Sequence, residues 1–232
     1  MRRITSVLII IILVITFIDS YSQTETIAIL DFSNNCIFDK DKYESLSPGL
    51  AEIMITELSS IKTLKFVERQ KINALIQEMQ LAQSGLVSEE TGVQVGKLVG
   101  AKYLVFGSYM VFDKKVRIDA RIVEVETGLT IKAEQVTKKV SKMFEIIKEL
   151  NKKILKDLDV KLTKDDKMLL NKTDTSFEVI DFFSKGLEYE EAHDLKRAKQ
   201  LYIKAFKLDN NFKPVRKKLK AILLKNKKDN KS

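Results

Sequence analysis

Hydrophobic positions along this 232-residue chain keep a helical period, switch to an alternating one, and then return to the helical period. The first ordered run, Thr26-Ile27-Ala28-Ile29-Leu30-Asp31-Phe32, is short, apolar and rich in β-branched residues. Such a run predicts a strand buried on both faces. Ser33-Asn34-Asn35 breaks it, and residues 39–42 read as a charged loop. A helix is expected over residues 50–60, with Leu50, Ile53, Met54 and Leu58 on one face. Pro48 stands near its start, where a missing N–H costs nothing. Residues 64–67 predict a second strand. Glu68 and Arg69 then open a helix whose Ile72, Leu75, Ile76 and Met79 recur at i, i+3, i+4, i+7. Ser84-Gly85 ends it. Ser88 is a natural N-cap for a further helix carrying Val93, Val95 and Leu98, and Gly100 closes that one.

From Tyr103 the period becomes two. Tyr103 to Phe112 is β-branched and aromatic, and Val116, Ile118, Ala120 and Ile122 alternate with Arg117, Asp119 and Arg121. The alternation slips by one at Val123 and Val125. A bulge near Ile122-Val123 accounts for the slip, and a strand end buried on both faces is the alternative. Asp113-Lys114-Lys115 and Thr127-Gly128 read as turns, and residues 129–136 as the third strand of an antiparallel meander. Met143, Ile146, Ile147, Leu150, Ile154 and Leu158 predict a long amphipathic helix. No period is sustained over 159–173, which is read as a linker. Residues 174–225 are helical in pattern, and 226–232 form a basic tail.

The N-terminus adds a targeting signal. Arg2 and Arg3 precede an apolar run of 12 residues, 7–18, broken by Asp19 and followed by Ser20-Tyr21-Ser22. This is the pattern of a secretory signal over 1–22, with cleavage after Ser22. An uncleaved anchor is the alternative, although a span needs about 20 apolar residues. No Cys follows the run, so no lipidation motif is visible. Cys36 is the one thiol, which excludes an internal disulfide and suits a small buried hydrophobe. The net charge of +9 is uneven: residues 213–232 hold nine basic residues against Asp229, or +8.

The order of motifs over 24–157 resembles the curli production assembly/transport (CsgG) family. The residues that carry it are Glu68-Arg69 at a striped helix, Ser84-Gly85, Gly96-Lys97, Gly100-Ala101, Gly107 in a strand, and the Glu126-Thr127-Gly128 turn. Penicillin-binding-protein activator lipoproteins have a similar architecture, and the N-terminal domain of TolB is structurally related. The resemblance implies an α/β (α+β) domain over 23–158, of CsgG/TolB-N-like type, with an antiparallel meander packed by helices. It also implies an exported envelope protein that binds partners and is not an enzyme. The curli channel inserts hairpins into the outer membrane, but residues 103–126 put Asp113, Lys114, Lys115, Arg117, Asp119 and Arg121 on or near the row that would face lipid. A non-catalytic adaptor in the periplasm, or on the periplasmic face of the outer membrane, is therefore expected ahead of an oligomeric secretion channel. Over 179–212, Gly186, Tyr189, Ala198, Tyr202 and Ala205 sit at the offsets of a tetratricopeptide repeat, a helical hairpin of 34 residues. That resemblance implies a small all-α C-terminal hairpin. A helix over part of 160–178, or packing against the first domain, would support so short an array.

No catalytic constellation, metal site or cofactor motif is expected. His193 lies in a turn with no Cys or second His nearby, and Asp165-Asp166 read as solvated carboxylates. Gly92, Gly96 and Gly100 recur every four residues, which lets a helix lie close to the sheet. The candidate partner-binding residues are Tyr189 and Tyr202 on the repeat and Lys217, Lys218 and Lys220 on the basic helix, placed off the Val215/Leu219/Ile222 face. The expected partners are envelope proteins of secretion or cell-wall assembly, with a homo-oligomer as a further possibility. The sheet edge near 129–136 is the other expected contact. The lysines read either as a solvating cap or as a peripheral contact for anionic membrane or cell-wall polymer. Nucleic acid is not expected, since no aromatic follows Phe212 to stack on bases.

Overall fold

The computed structural model describes residues 25–79, 89–172 and 174–229. The signal sequence, the Ser84-Gly85 stop, the Ser88 cap and the last residues of the basic tail lie outside them. One mixed sheet organises the chain, in the order β3-β1-β4-β5-β6, with β2 also on β4. The strands are β1 (Glu25–Ile29), β2 (Ser33–Asn34), β3 (Leu64–Phe66), β4 (Tyr103–Phe112), β5 (Lys115–Glu124) and β6 (Thr130–Lys139). β3, β1 and β4 run parallel; β4, β5 and β6 form the expected antiparallel meander. The helices are α1 (Lys40–Tyr43), α2 (Leu46–Leu58), α3 (Arg69–Glu78), α4 (Glu89–Leu98), α5 (Met143–Asp157), α6 (Lys164–Lys172), α7 (Phe177–Glu191), α8 (Leu195–Leu208) and α9 (Lys213–Asp229).

The sheet separates two cores. Ile27, Ile29, Val105, Ile118 and Ile122 face the larger one, against α2 and α5. Ala28, Leu30, Leu104, Val123 and Val125 face the smaller one, which takes Ile72 of α3 and Val95 of α4. β1 is thus buried on both faces, as its apolar run requires. The slip of alternation in β5 comes from its end being buried on both faces: Ile122 continues the row that faces the larger core and Val123 faces the smaller one, in unbroken register with β4. The irregularity at Ile122-Val123 lies in the pairing with β6, where the register passes over Ile131. The β4–β5 turn carries Asp113 and Lys114 with φ of 46° and 58°, the left-handed pair that a two-residue hairpin needs. At Gly96 an added Cβ would lie 2.8 Å from Val125, so α4 does rest on the sheet through a glycine. Gly100, at φ 68°, terminates that helix.

Several boundaries move. α2 begins one turn earlier than the expected start at Leu50, which puts Pro48 in its first turn, and the expected charged loop at 39–42 is mostly the short α1. The segment expected as a linker carries α6, whose Leu170 joins the larger core, and Asp165 and Asp166 lie in its first turn. The C-terminal helices pack on α2 and α5. An aromatic ladder crosses that contact: Phe144 of α5 meets Phe212 at 6.0 Å, Phe212 meets Phe183 at 5.6 Å, and Phe183 meets Tyr202 at 5.8 Å. Cys36 is buried and accepts from the Val111 amide at 3.2 Å, and burial pushes its thiol pKa up.

α2 and α7 approach closely at Gly49 of α2. An added Cβ there would lie 2.7 Å from the Ser184 Cβ of α7. Gly49→Ala is expected to cost about 1–3 kcal/mol by overpacking. Adding Ser184→Gly should recover part of that loss in urea denaturation, whereas a general helix-propensity effect would make the double variant worse.

Candidate functional site

Arg69 is the first residue of α3, and the strand–helix connection before it turns the side chain under the C-terminal hairpin. Its side chain is 2% exposed, beside carboxylates from three other elements. Nη1 donates to both oxygens of Asp31, just past β1, at 2.8 and 3.0 Å. Nη2 donates to Glu191 at the end of α7. Nε lies 3.7 Å from Glu52 of α2. Asn73, one turn along α3, donates to Asp31 at 3.2 Å. Burial alone would lower the Arg69 pKa; attraction to Asp31 and Glu191 outweighs it and holds the guanidinium firmly protonated.

The network continues into α9. Lys217 lies 3.7 Å from Glu52, and Lys218 lies 3.2 Å from Glu190. The Tyr202 hydroxyl donates to Glu190, and burial raises its pKa beyond the usual phenol range. Glu52, Arg69, Glu190, Lys217 and Lys218 line a cleft of about 370 Å³ between α2, α3 and α9, together with Ile55, Phe66 and Val67. Deeper between α2 and α9, Glu57 is 1% exposed with Lys213 at 3.8 Å, and neither carboxylate oxygen accepts a hydrogen bond among the described residues. Desolvation raises the Glu57 pKa, with Lys213 and Lys148 opposing.

Of the residues singled out from sequence, Tyr202 and Lys218 meet on Glu190 and Lys217 joins at Glu52. Tyr202 is fully buried, its ring 2.5 Å from where a Cβ on Gly186 would stand. It fills the hairpin from inside. Lys218 does not lie off the buried face: it is 9% exposed, and Glu190 makes that burial tolerable. Lys220 is exposed and stands outside the cleft, as does Tyr189, half-buried with Arg197 over its ring at 5.4 Å. Sequence reading missed Asp31, Glu52, Glu57 and Glu191. It noted Arg69 as a helix opening and, with Glu68, as part of the family resemblance. A cation at a helix N-terminus opposes the helix dipole, and that anomaly was the signal for buried acidic partners.

A second open surface lies on the far half of the sheet. There Phe106, Ser108, Arg117, Asp119, Arg121 and Gln135 line a shallow cleft of about 530 Å³. Arg117 pairs with Asp119 at 2.7 Å. β6 is the edge strand, with six of its first seven residues not buried. Among the described residues no cluster of three or more His, Cys, Asp or Glu could hold a metal ion, and no helix is long and apolar enough to cross a membrane.

Residues 17–118 match the family model described as curli production assembly/transport component CsgG. The match ends inside β5 and leaves β6 and the C-terminal helices beyond it. No curated protein matches the chain. Among solved structures, the chain is similar to the C-terminal domain of LpoB from Salmonella enterica, at 14% identity over 52% of this chain and 87% of that one, with a TM-score of 0.38. It is similar to TolB from Acinetobacter baumannii at 15% identity, covering 59% of this chain and 28% of that one, with a TM-score of 0.41. A PelC dodecamer from Paraburkholderia phytofirmans is similar at 11% identity, with 60% and 91% covered and a TM-score of 0.38.

Three outcomes follow from the charges. Arg69→Met leaves the near-buried Glu52 and the partly exposed Asp31 without their cation, and is expected to cost about 3 kcal/mol in urea denaturation, the low end for a broken buried pair. Glu191→Gln, at a carboxylate that is itself 40% exposed, should cost about 1 kcal/mol or less. Glu57 has a folded pKa above its unfolded one, so the native state holds the extra proton and stability falls as pH rises through that window. Glu57→Gln should therefore be more stable than the parent at neutral pH. The gap should close as pH falls to the ordinary glutamate range, read from urea midpoints across a pH series.

Proposed function

We propose that this protein is a non-catalytic, exported adaptor of the bacterial envelope, working in the periplasm or on the periplasmic face of the outer membrane. The observation that carries this reading is the edge strand β6, ten residues long and mostly exposed. An open edge is a template for pairing with an extended segment of a partner. The polar face of Arg117, Asp119 and Arg121 beside it supplies specific contacts. The match to the CsgG family model supports an envelope role. The charged groups of the Arg69 cleft are occupied in joining α2, α3, α7 and α9, which suits a bracing task better than turnover.

In this reading the sheet domain is the platform. The C-terminal hairpin is a single tetratricopeptide-like unit with α9 as its cap, and Tyr189 with Lys217 and Lys220 supplies a second contact. Partners are envelope proteins of secretion or cell-wall assembly, or further copies of this chain. An oligomeric secretion channel is disfavoured, because the β4–β5 hairpin carries Arg117, Asp119 and Arg121 on the row that would meet lipid.

A photo-crosslinking residue at Gln135 on β6 tests the reading in cells. A discrete heavier species is expected, absent when the same residue replaces Lys71 on α3. Equal labelling from both positions, or none from Gln135, would sink the edge as the contact. A detergent-dependent large ring would revive the channel.

A further inference from the structure

The charge of this chain is segregated more sharply than its total suggests. Residues 195–232 hold 14 basic residues against Asp209 and Asp229, a net +12, while residues 1–194 hold 27 basic and 30 acidic residues, a net −3, which together give +9. Between Lys213 and Lys228, α9 contains no carboxylate, and α8 contributes Lys196, Arg197, Lys199, Lys204 and Lys207 with none.

The inner face of α9 is accounted for. Val215 is fully buried, Lys218 turns in to Glu190, and Leu219 and Ile222 pack on the core. The outer face is unusual. At about 100° per residue, Arg216, Lys217, Lys220, Leu223 and Leu224 fall within an arc of about 120°, away from Val215 and Ile222. Arg216, Lys217 and Lys220 are exposed, and Leu223 and Leu224 are 57% and 54% exposed. Two leucines standing in water among cations are unexplained by the fold.

The occupant must take both features. A second copy of the same face would set its cations against like charges. A soluble polyanion would meet the cations but gain nothing from the leucines. An anionic bilayer meets both: its phosphates attract Lys and Arg, and its acyl boundary accepts apolar side chains. We propose that the outer face of α9 docks on an anionic lipid surface, with Arg216 and Lys220 at the phosphates and Leu223 and Leu224 entering the acyl boundary. The inference stands on charge and exposure and does not rest on the adaptor reading.

The test is co-sedimentation of the full chain with phosphatidylcholine vesicles, with and without phosphatidylglycerol, at low and high salt. Each basic residue near such a surface changes partitioning by about fivefold. Replacing Arg216 and Lys220 by Gln should therefore weaken binding to the anionic vesicles about 25-fold and leave the thermal midpoint unchanged. Leu223→Ser with Leu224→Ser should weaken vesicle binding while leaving binding to soluble polyphosphate as it was. Equal binding to neutral and anionic vesicles overturns the proposal, because the N-terminal apolar run would then carry the adsorption. Unchanged vesicle binding by the serine variant also overturns it and leaves a purely ionic site for a soluble or cell-wall polyanion.

Discussion

The Arg69 guanidinium is the point on which the layers depend. It sits at the N-terminal end of α3, where the helix dipole disfavours a cation, and Glu191 sits at the C-terminal end of α7, where the dipole disfavours an anion. Each group is misplaced on its own helix and well placed against the other. Asp31 and Glu52 bring the β1 exit and α2 to the same atom group. Apolar residues of similar volume could give comparable stability. They could not match a fork of donors that accepts carboxylates from three elements in fixed directions.

The aromatic ladder complements that ionic joint. Phe144, Phe212, Phe183 and Tyr202 pass from the helix beneath the sheet to the centre of the hairpin. A lone helical hairpin has too little apolar surface to stand by itself. Here it shares a core with α2 and α5, so the sheet supplies the burial that further repeats would supply in a longer array. Close approach at Gly49 and Gly186 keeps both contacts short.

Most of the elements were legible because period alone reports burial. The stripe of α3, the meander, the Ile122-Val123 slip and the Gly100 stop all follow from spacing and glycine geometry. Period does not say what covers a face. Tyr202 matched an aromatic offset equally well as a contact surface or as filler, and only the position of Gly186 beneath it decides for filler. Lys218 looked like a surface lysine because a buried lysine is rare until its acid is known, and Glu190 is 28 residues away. The α6 helix was expected only as support for the hairpin, somewhere in 160–178, because its polar sequence has one strongly buried apolar residue, Leu170, too few to set a period. The Arg69 cluster was invisible for the same reason of distance: its carboxylates are separated by up to 160 residues, as Asp31 and Glu191 show.

The double burial at the end of β5 bears on more than the alternation it hides. In a plain strand, sliding by two residues restores every side chain to its own face, so pairing errors of that size are cheap. Along β5 one row, Val116, Ile118, Ala120 and Ile122, faces the larger core, while the other passes from Arg117, Asp119 and Arg121 to Val123 in the smaller core. A slide of two residues would carry Arg121 into the smaller core's place or Val123 out to the polar face. β5 is therefore keyed, and β6, whose pairing passes over Ile131 at that same point, inherits the key. The free side of the molecule is a ruler with a fixed zero, able to present the same backbone groups at the same place to anything that lies along it.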